Sequence, residues 1–194
     1  KAESIADLIS SETEIQRIIR ADNLFLRLAA HGHSLRLANA YPDSFFDGIS
    51  SGRRSYSALQ LAFVTAGIPL YTAEDLRAGR AFSADFSGQM WRSMLKVPDA
   101  PIYTLNEAGR LLARKAQRHS FVLLDHWPSD IVGHRGTMAD AVQILESFDA
   151  VLGGIITEWN ADDGMIVITS DHGNLEDMST RHHTFNPVPT LLIG

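Results

Sequence analysis

The chain has 194 residues, 45% of them hydrophobic, which suffices for one sizeable core and makes a single domain, with room for an inserted subdomain, the expected organisation. A net charge of -6 leaves no basic footprint, so neither nucleic acid nor an anionic membrane surface is expected as a partner. The absence of cysteine excludes a disulfide framework, a thiolate zinc site and a cysteine nucleophile in these residues, and it fits a cytoplasmic protein. No apolar run reaches the roughly 18 residues of a membrane span, and the N-terminus lacks a basic-then-apolar signal pattern. The chain opens at Lys1 and stops at Gly194 just after an apolar, strand-like run, so a piece of something longer is expected.

Ile5, Leu8, Ile9, Ile15, Ile18 and Ile19 recur at roughly helical spacing, which predicts a helix pair or a broken helix over 3–20. Leu24 to Ala30 predicts a helix closing near Gly32, and Leu35 and Leu37 alternate with polar neighbours as a short strand. Residues 42–54 are rich in turn formers, and 57–68 form a second apolar helix ending at Gly67. The stretch 69–103 carries short helical pieces and a proline-bearing loop that reads as a lid or an insertion. At Thr104 the pattern sharpens: a Thr N-cap with Glu107 three residues later is a capping box, and Leu111, Leu112 and Ala116 share one side of the helix that follows. Phe121 to Leu124 is a continuous apolar run, the mark of a strand buried on both faces of a parallel sheet. A long amphipathic helix over 137–159, a second buried strand from Met165 and a third over the final residues complete an α/β rhythm. The expected fold is therefore a doubly wound, mostly parallel sheet. Residues 1–103 read as an incomplete α/β part, and 104–194 as the functional half of the same fold.

In such sheets ligands lie beyond the carboxyl ends of the strands, so the polar residues after each apolar run are the ones to inspect. After the first run come Asp125, His126, Asp130 and His134; after the second come Asp171 and His172; before the last strand stands Arg181-His182-His183-Thr184. Five of the eight histidines thus fall within 126–183, with acidic partners. Carboxylate oxygens with imidazole nitrogens suit zinc, manganese or iron, whereas an all-oxygen set would suit calcium or magnesium.

Asp130-Ile-Val-Gly-His134, Thr169-Ser-Asp-His-Gly-Asn174 and His183-Thr-Phe-Asn-Pro-Val-Pro189 resemble, in order and spacing, the three C-terminal signatures of the cofactor-independent phosphoglycerate mutases. Those enzymes belong to the alkaline phosphatase superfamily, with phosphopentomutases, nucleotide pyrophosphatases and sulfatases. The resemblance covers about 104–194 and implies a three-layer fold, here lacking its N-terminal strands. It also implies two divalent ions, manganese or zinc with magnesium as the alternative: Asp130, His134 and His183 around one, Asp171 and His172 supplying part of the other. The family's Ser or Thr nucleophile and its early Asp-Gly ligand have no counterpart here. Asp47-Gly48 lies in the wrong context, and Ser129, Ser170 and Thr184 are not positions the family uses.

The implied chemistry is in-line phosphoryl transfer on a small phosphorylated metabolite, two ions about 3.5–4 Å apart clamping the attacking and leaving oxygens. Phosphate recognition favours arginine, whose fork donates two parallel hydrogen bonds. Arg181, Arg135 and His126 are the candidates for substrate contact, each also readable as a surface or structural residue. Mutase and phosphatase both remain open. So do a sulfatase or phosphodiesterase relative, a metal-binding member without turnover, and an ordinary α/β binding protein.

Overall fold

The computed structural model describes residues 14–194, except the side chain of Asp163. Part of the helix expected over 3–20 lies outside the described residues, and 14–21 are helical (α1). The chain is mixed α/β, and its described residues divide into two compact units, 14–81 with 119–123, and 82–118 with 124–194.

In the first unit, α2 (Leu24–Ala30) is capped by the Asn23 side chain, which accepts the amides of Phe25 and Leu26. The strand β1 (Leu35–Leu37) buries Leu35 and Leu37 and pairs in parallel with β2 (Phe121–Leu123). Around this pair pack Phe25, Phe45 and Phe63, the rings of Phe25 and Phe63 stacked 3.9 Å apart. Residues 42–54, read as turns, instead hold α3 (Asp43–Ser50). Burial of Phe45 on one side of this helix outweighs the local preference of its Asp, Ser and Gly for turns. Next comes α4 (Ala58–Thr65), started by a Ser57–Gln60 capping box, then α5 (Ala73–Arg77).

In the second unit, α6 (Gln89–Ser93) precedes α7 (Leu105–Ala116), whose Thr104–Glu107 capping box forms as expected. α7 packs against the long α9 (Met138–Glu158) at glycines: a Cβ on Gly109 would lie 2.0 Å from the Val151 carbonyl oxygen, and one on Gly154 would lie 2.2 Å from that of Asn106. Only hydrogen at these positions allows the two backbones to approach so closely. Phe86, Ala108 and Val151 form the core beside this contact, with Leu112, Leu124 and Phe148 against them. A helix that the sequence reading did not foresee, α8 (Pro128–Arg135), starts with proline in its first turn, where the missing N–H costs nothing.

The last two strands, β3 (Ile166–Thr169) and β4 (Thr190–Ile193), run antiparallel, Thr169 facing Thr190. A parallel pair needs a crossover connection, usually helical; residues 170–189 contain no helix and fold back on themselves, with Gly173 bridging Thr184. The apolar runs predicted strands buried on both faces. β2 is half-buried, and in β3 and β4 Val167 is 53% and Leu192 64% exposed. Among the described residues the strands form two two-stranded sheets, so neither pair has a further strand beside it.

Candidate metal centre

The antiparallel fold-back explains how residues distant in sequence meet. The Gly173–Thr184 bridge holds the two arms of the fold-back together, and diagonally across it the rings of His172 and His183 stack 3.5 Å apart. From the other side, α8 presents Asp130 and His134, four residues apart and so on one helix face.

Three ligand-type atoms converge there. The Nε2 atoms of His134 and His183 are 3.1 Å apart, and Asp130 Oδ1 lies 3.3 Å from the first and 3.2 Å from the second. These residues form a group able to hold a metal ion. A tetrahedral ion bound at about 2.0–2.1 Å has ligand atoms about 3.3–3.4 Å apart, so the three atoms already stand at nearly the spacing of ligands around one centre. The His134 tautomer agrees: its Nδ1 lies 2.8 Å from the Arg181 carbonyl oxygen, which can only accept, so Nδ1 carries the proton and the Nε2 lone pair faces the cluster. With His183 Nε2 unprotonated as well, a cation between the two nitrogens satisfies both lone pairs. The donor set therefore fits a divalent transition metal.

His172 stands at the edge of this group, its Nε2 4.0 Å from Asp130 Oδ1 and 3.6 Å from Asp171 Oδ1. Its Nδ1 is buried without a hydrogen-bond partner among the described residues. The Asp171 side chain is 87% exposed and turned toward solvent. Asp171 and His172 are thus adjacent to the three-residue group and outside it.

The predicted substrate-contact residues are placed differently. Arg181 has a left-handed backbone, φ 58°, which costs an L residue about 1–2 kcal/mol; this conformation accompanies the aim of its carbonyl at His134, while its guanidinium donates to the Gly136 carbonyl. Arg135 is exposed on α8, lining a groove of about 410 Å³ with Val132, Asp140 and Gln143. His126 stacks on Phe86 at 4.9 Å, meets Phe148 edge-on, and through Nδ1 bonds the Ala84 carbonyl at 2.8 Å. Burial lowers its pKa, outweighing the opposing pull of that carbonyl and of Asp85, so the ring favours the neutral state. Asp125 shifts the other way: burial raises its pKa, and the nearby charge of Asp171 raises it further.

Two residues that sequence reasoning left without a role join the segments around the centre. Asn174 is buried against Gly133, where a Cβ would fall 1.3 Å from its Oδ1, and its Nδ2 lies 3.4 Å from the His182 carbonyl. The Glu176 carboxylate accepts the Asn174 amide at 2.6 Å, the Asn186 side-chain amide at 3.0 Å and the Thr184 hydroxyl. The Thr184 hydroxyl first, then the backbone N–H of Glu176 itself, with the two amides adding to them, pull its pKa down to about 2. The available signal was Gly133 inside the Asp130–His134 motif, a helical glycine that only close packing explains.

With this geometry in hand, residues 104–194 match the family profile described as the Metalloenzyme superfamily. The chain is 33% identical to a 2,3-bisphosphoglycerate-independent phosphoglycerate mutase of Thermomicrobium roseum, over 53% of this chain and 22% of that protein. It is 29% identical to the protein so named from Desulforudis audaxviator, over 53% and 23%, and 40% identical to that of Gloeothece citriformis, over 39% and 15%. The matched stretch thus spans less than a quarter of those relatives' length. No solved structure matches the chain. No helix among the described residues is long and apolar enough to cross a membrane.

Proposed function

We propose that this chain carries the metal-holding part of a phosphoryl-transfer site acting on a small phosphorylated metabolite, of the phosphoglycerate mutase kind. The convergence of His134 Nε2, His183 Nε2 and Asp130 Oδ1 within 3.3 Å carries the reading. Asp130, His134 and His183 hold one divalent ion, and Asp171 and His172 contribute to a second. Bound there, such ions lower the pKa of a hydroxyl nucleophile and offset charge on phosphoryl oxygens. The chain's own residues supply orientation: the Arg181 carbonyl fixes the His134 tautomer, and stacking on His172 fixes the plane of His183. The exposed faces of β3 and β4 fit a three-layer fold in which helices would cover them.

A second reading, a non-catalytic metal-binding protein that does not turn over even when extended beyond this chain, is favoured by the state of the nearby hydroxyls. Ser129 donates to the His126 carbonyl, Ser170 to the His172 carbonyl and Thr184 to Glu176. Each has its proton committed locally, so in the first reading the nucleophile comes from outside these residues. Elemental analysis after reconstitution with manganese or zinc tests both readings, and absence of bound metal defeats both. A phosphatase screen and a phosphoglycerate mutase assay on a protein extended beyond this chain then separate them, since turnover there requires the first.

A further inference from the structure

The three ligand-bearing pieces, α8, the 171–174 segment and the 181–184 segment, have few covalent reasons to hold their mutual spacing. α8 is separated from the fold-back by the whole of α9 and β3, and the other two belong to a loop without regular structure. Metal ligation tolerates errors of only about 0.2 Å in ligand distance, so something must fix the loop.

We propose that Glu176 is a positioning residue of the metal centre, its carboxylate locking the segment that carries Asp171 and His172 to the segment that carries His183. The bonds run to both sides. On one, the Asn174 N–H donates to Oε2 at 2.6 Å, two residues beyond His172. On the other, the hydroxyl of Thr184, next to His183, and the Nδ2 of Asn186 donate to Oε1. The Thr184 N–H also reaches the Gly173 carbonyl at 2.8 Å, closing a small ring of bonds between the two segments. Asn174 carries the tie onward, since its buried side chain seats against Gly133 beside His134 and contacts the His182 carbonyl. An ionised acceptor makes short, strong bonds, which suits it to gathering three donors. Glu176 touches no candidate ligand and acts through the backbone of its neighbours. This inference rests on the metal-centre reading.

The test uses the full chain titrated with cobalt(II), whose visible absorption reports coordination geometry as well as occupancy. Glu176→Ala is expected to weaken cobalt binding about 10–100-fold and to alter the absorption bands, and also to lower the metal-free melting temperature, because a carboxylate held ionised by its donors favours the fold as well. Thr184→Val removes one of the same bonds from the other side and should weaken binding likewise, while Thr184→Ser, which keeps the hydroxyl, should retain it. The Glu176→Ala/Thr184→Val pair should cost less than the two single losses added, because both act on one bond. If Glu176→Ala fails to fold, Thr184→Val carries the test alone. Unchanged affinity and spectrum in Glu176→Ala, or in Thr184→Val, overturn the proposal while the metal centre stands. Failure of the unaltered chain to take up cobalt overturns the metal centre itself.

Discussion

The Nε2 atoms of His134 and His183 stand 3.1 Å apart, and both lie beside the same oxygen of Asp130. Two imidazole nitrogens at that distance share either a proton or a cation, and the arrangement of three such atoms discriminates among the candidate ligands. His183→Ala and Asp130→Ala each delete a corner of the converged group and are expected to weaken the tighter ion by more than about 100-fold, beyond the range seen for residues outside the ligand sphere. Asp171→Ala should leave that ion in place and weaken the other. Isothermal titration with zinc or manganese, paired with elemental analysis, checks the order; equal losses in all three variants would mean one pooled site.

Gly133 separates packing from helix propensity. In an exposed helix, Gly→Ala stabilises by roughly 0.5–1 kcal/mol. In α8 the added methyl would fall 1.3 Å from Asn174 Oδ1, with Asn174 itself buried. Gly133→Ala is therefore expected to destabilise, by about 1–3 kcal/mol as for other overpacked sites, and to weaken metal binding because Asn174 must leave its seat beside His182. Thermal unfolding of the metal-free protein reads the first effect and a zinc titration the second. A variant more stable than the parent would show that Asn174 moves aside freely.

Much of the centre was legible from local pattern. The clustering of Asp130, His134 and His183 beside apolar runs marked them as candidates, and the Thr104–Glu107 capping box announced α7, whereas α8, which puts Asp130 and His134 on one helix face, was not foreseen. What escaped was long-range. The antiparallel β3–β4 pairing follows from a connection that doubles back, which apolar runs alone do not encode. The parts played by Asn174 and Glu176 exist only once that fold-back sets 174–176 beside 184–186. α3 was missed because turn-forming residues disguise a helix that Phe45 pins to the core.

His126 supplies a pH test outside the metal group. Burial depresses its folded-state pKa below the ordinary 6.5. The unfolded chain then takes up a proton first as pH falls, so the stability contributed by the neutral ring is complete above about pH 6.5 and declines as acidification proceeds from 6.5 toward the folded-state value. The metal-free protein should lose melting temperature over that window, and His126→Gln should lose less over the same interval. The ring Cε1 proton, followed by NMR, should titrate with a midpoint below 6.5. A midpoint at or above 6.5 would contradict the buried, neutral ring bonded to Ala84.

Asp125 behaves oppositely, and its behaviour bears on the second ion. Burial first, and the charge of Asp171 second, raise its folded-state pKa above the ordinary 3.8. A carboxyl raised in this way favours the folded state fully below pH 3.8, and that contribution is lost as pH rises through the folded-state value. At neutral pH the ionised group is then an unfavourable charge near a second one, a situation a divalent cation relieves and a neutral amide avoids. Asp125→Asn should therefore raise the metal-free melting temperature at pH 7. It should also weaken the ion proposed for Asp171 and His172 more than the one proposed for Asp130, His134 and His183. Melting curves with and without manganese measure both effects, and a variant that melts lower without metal would show that partners of the Asp125 carboxylate, not its charge, govern this position.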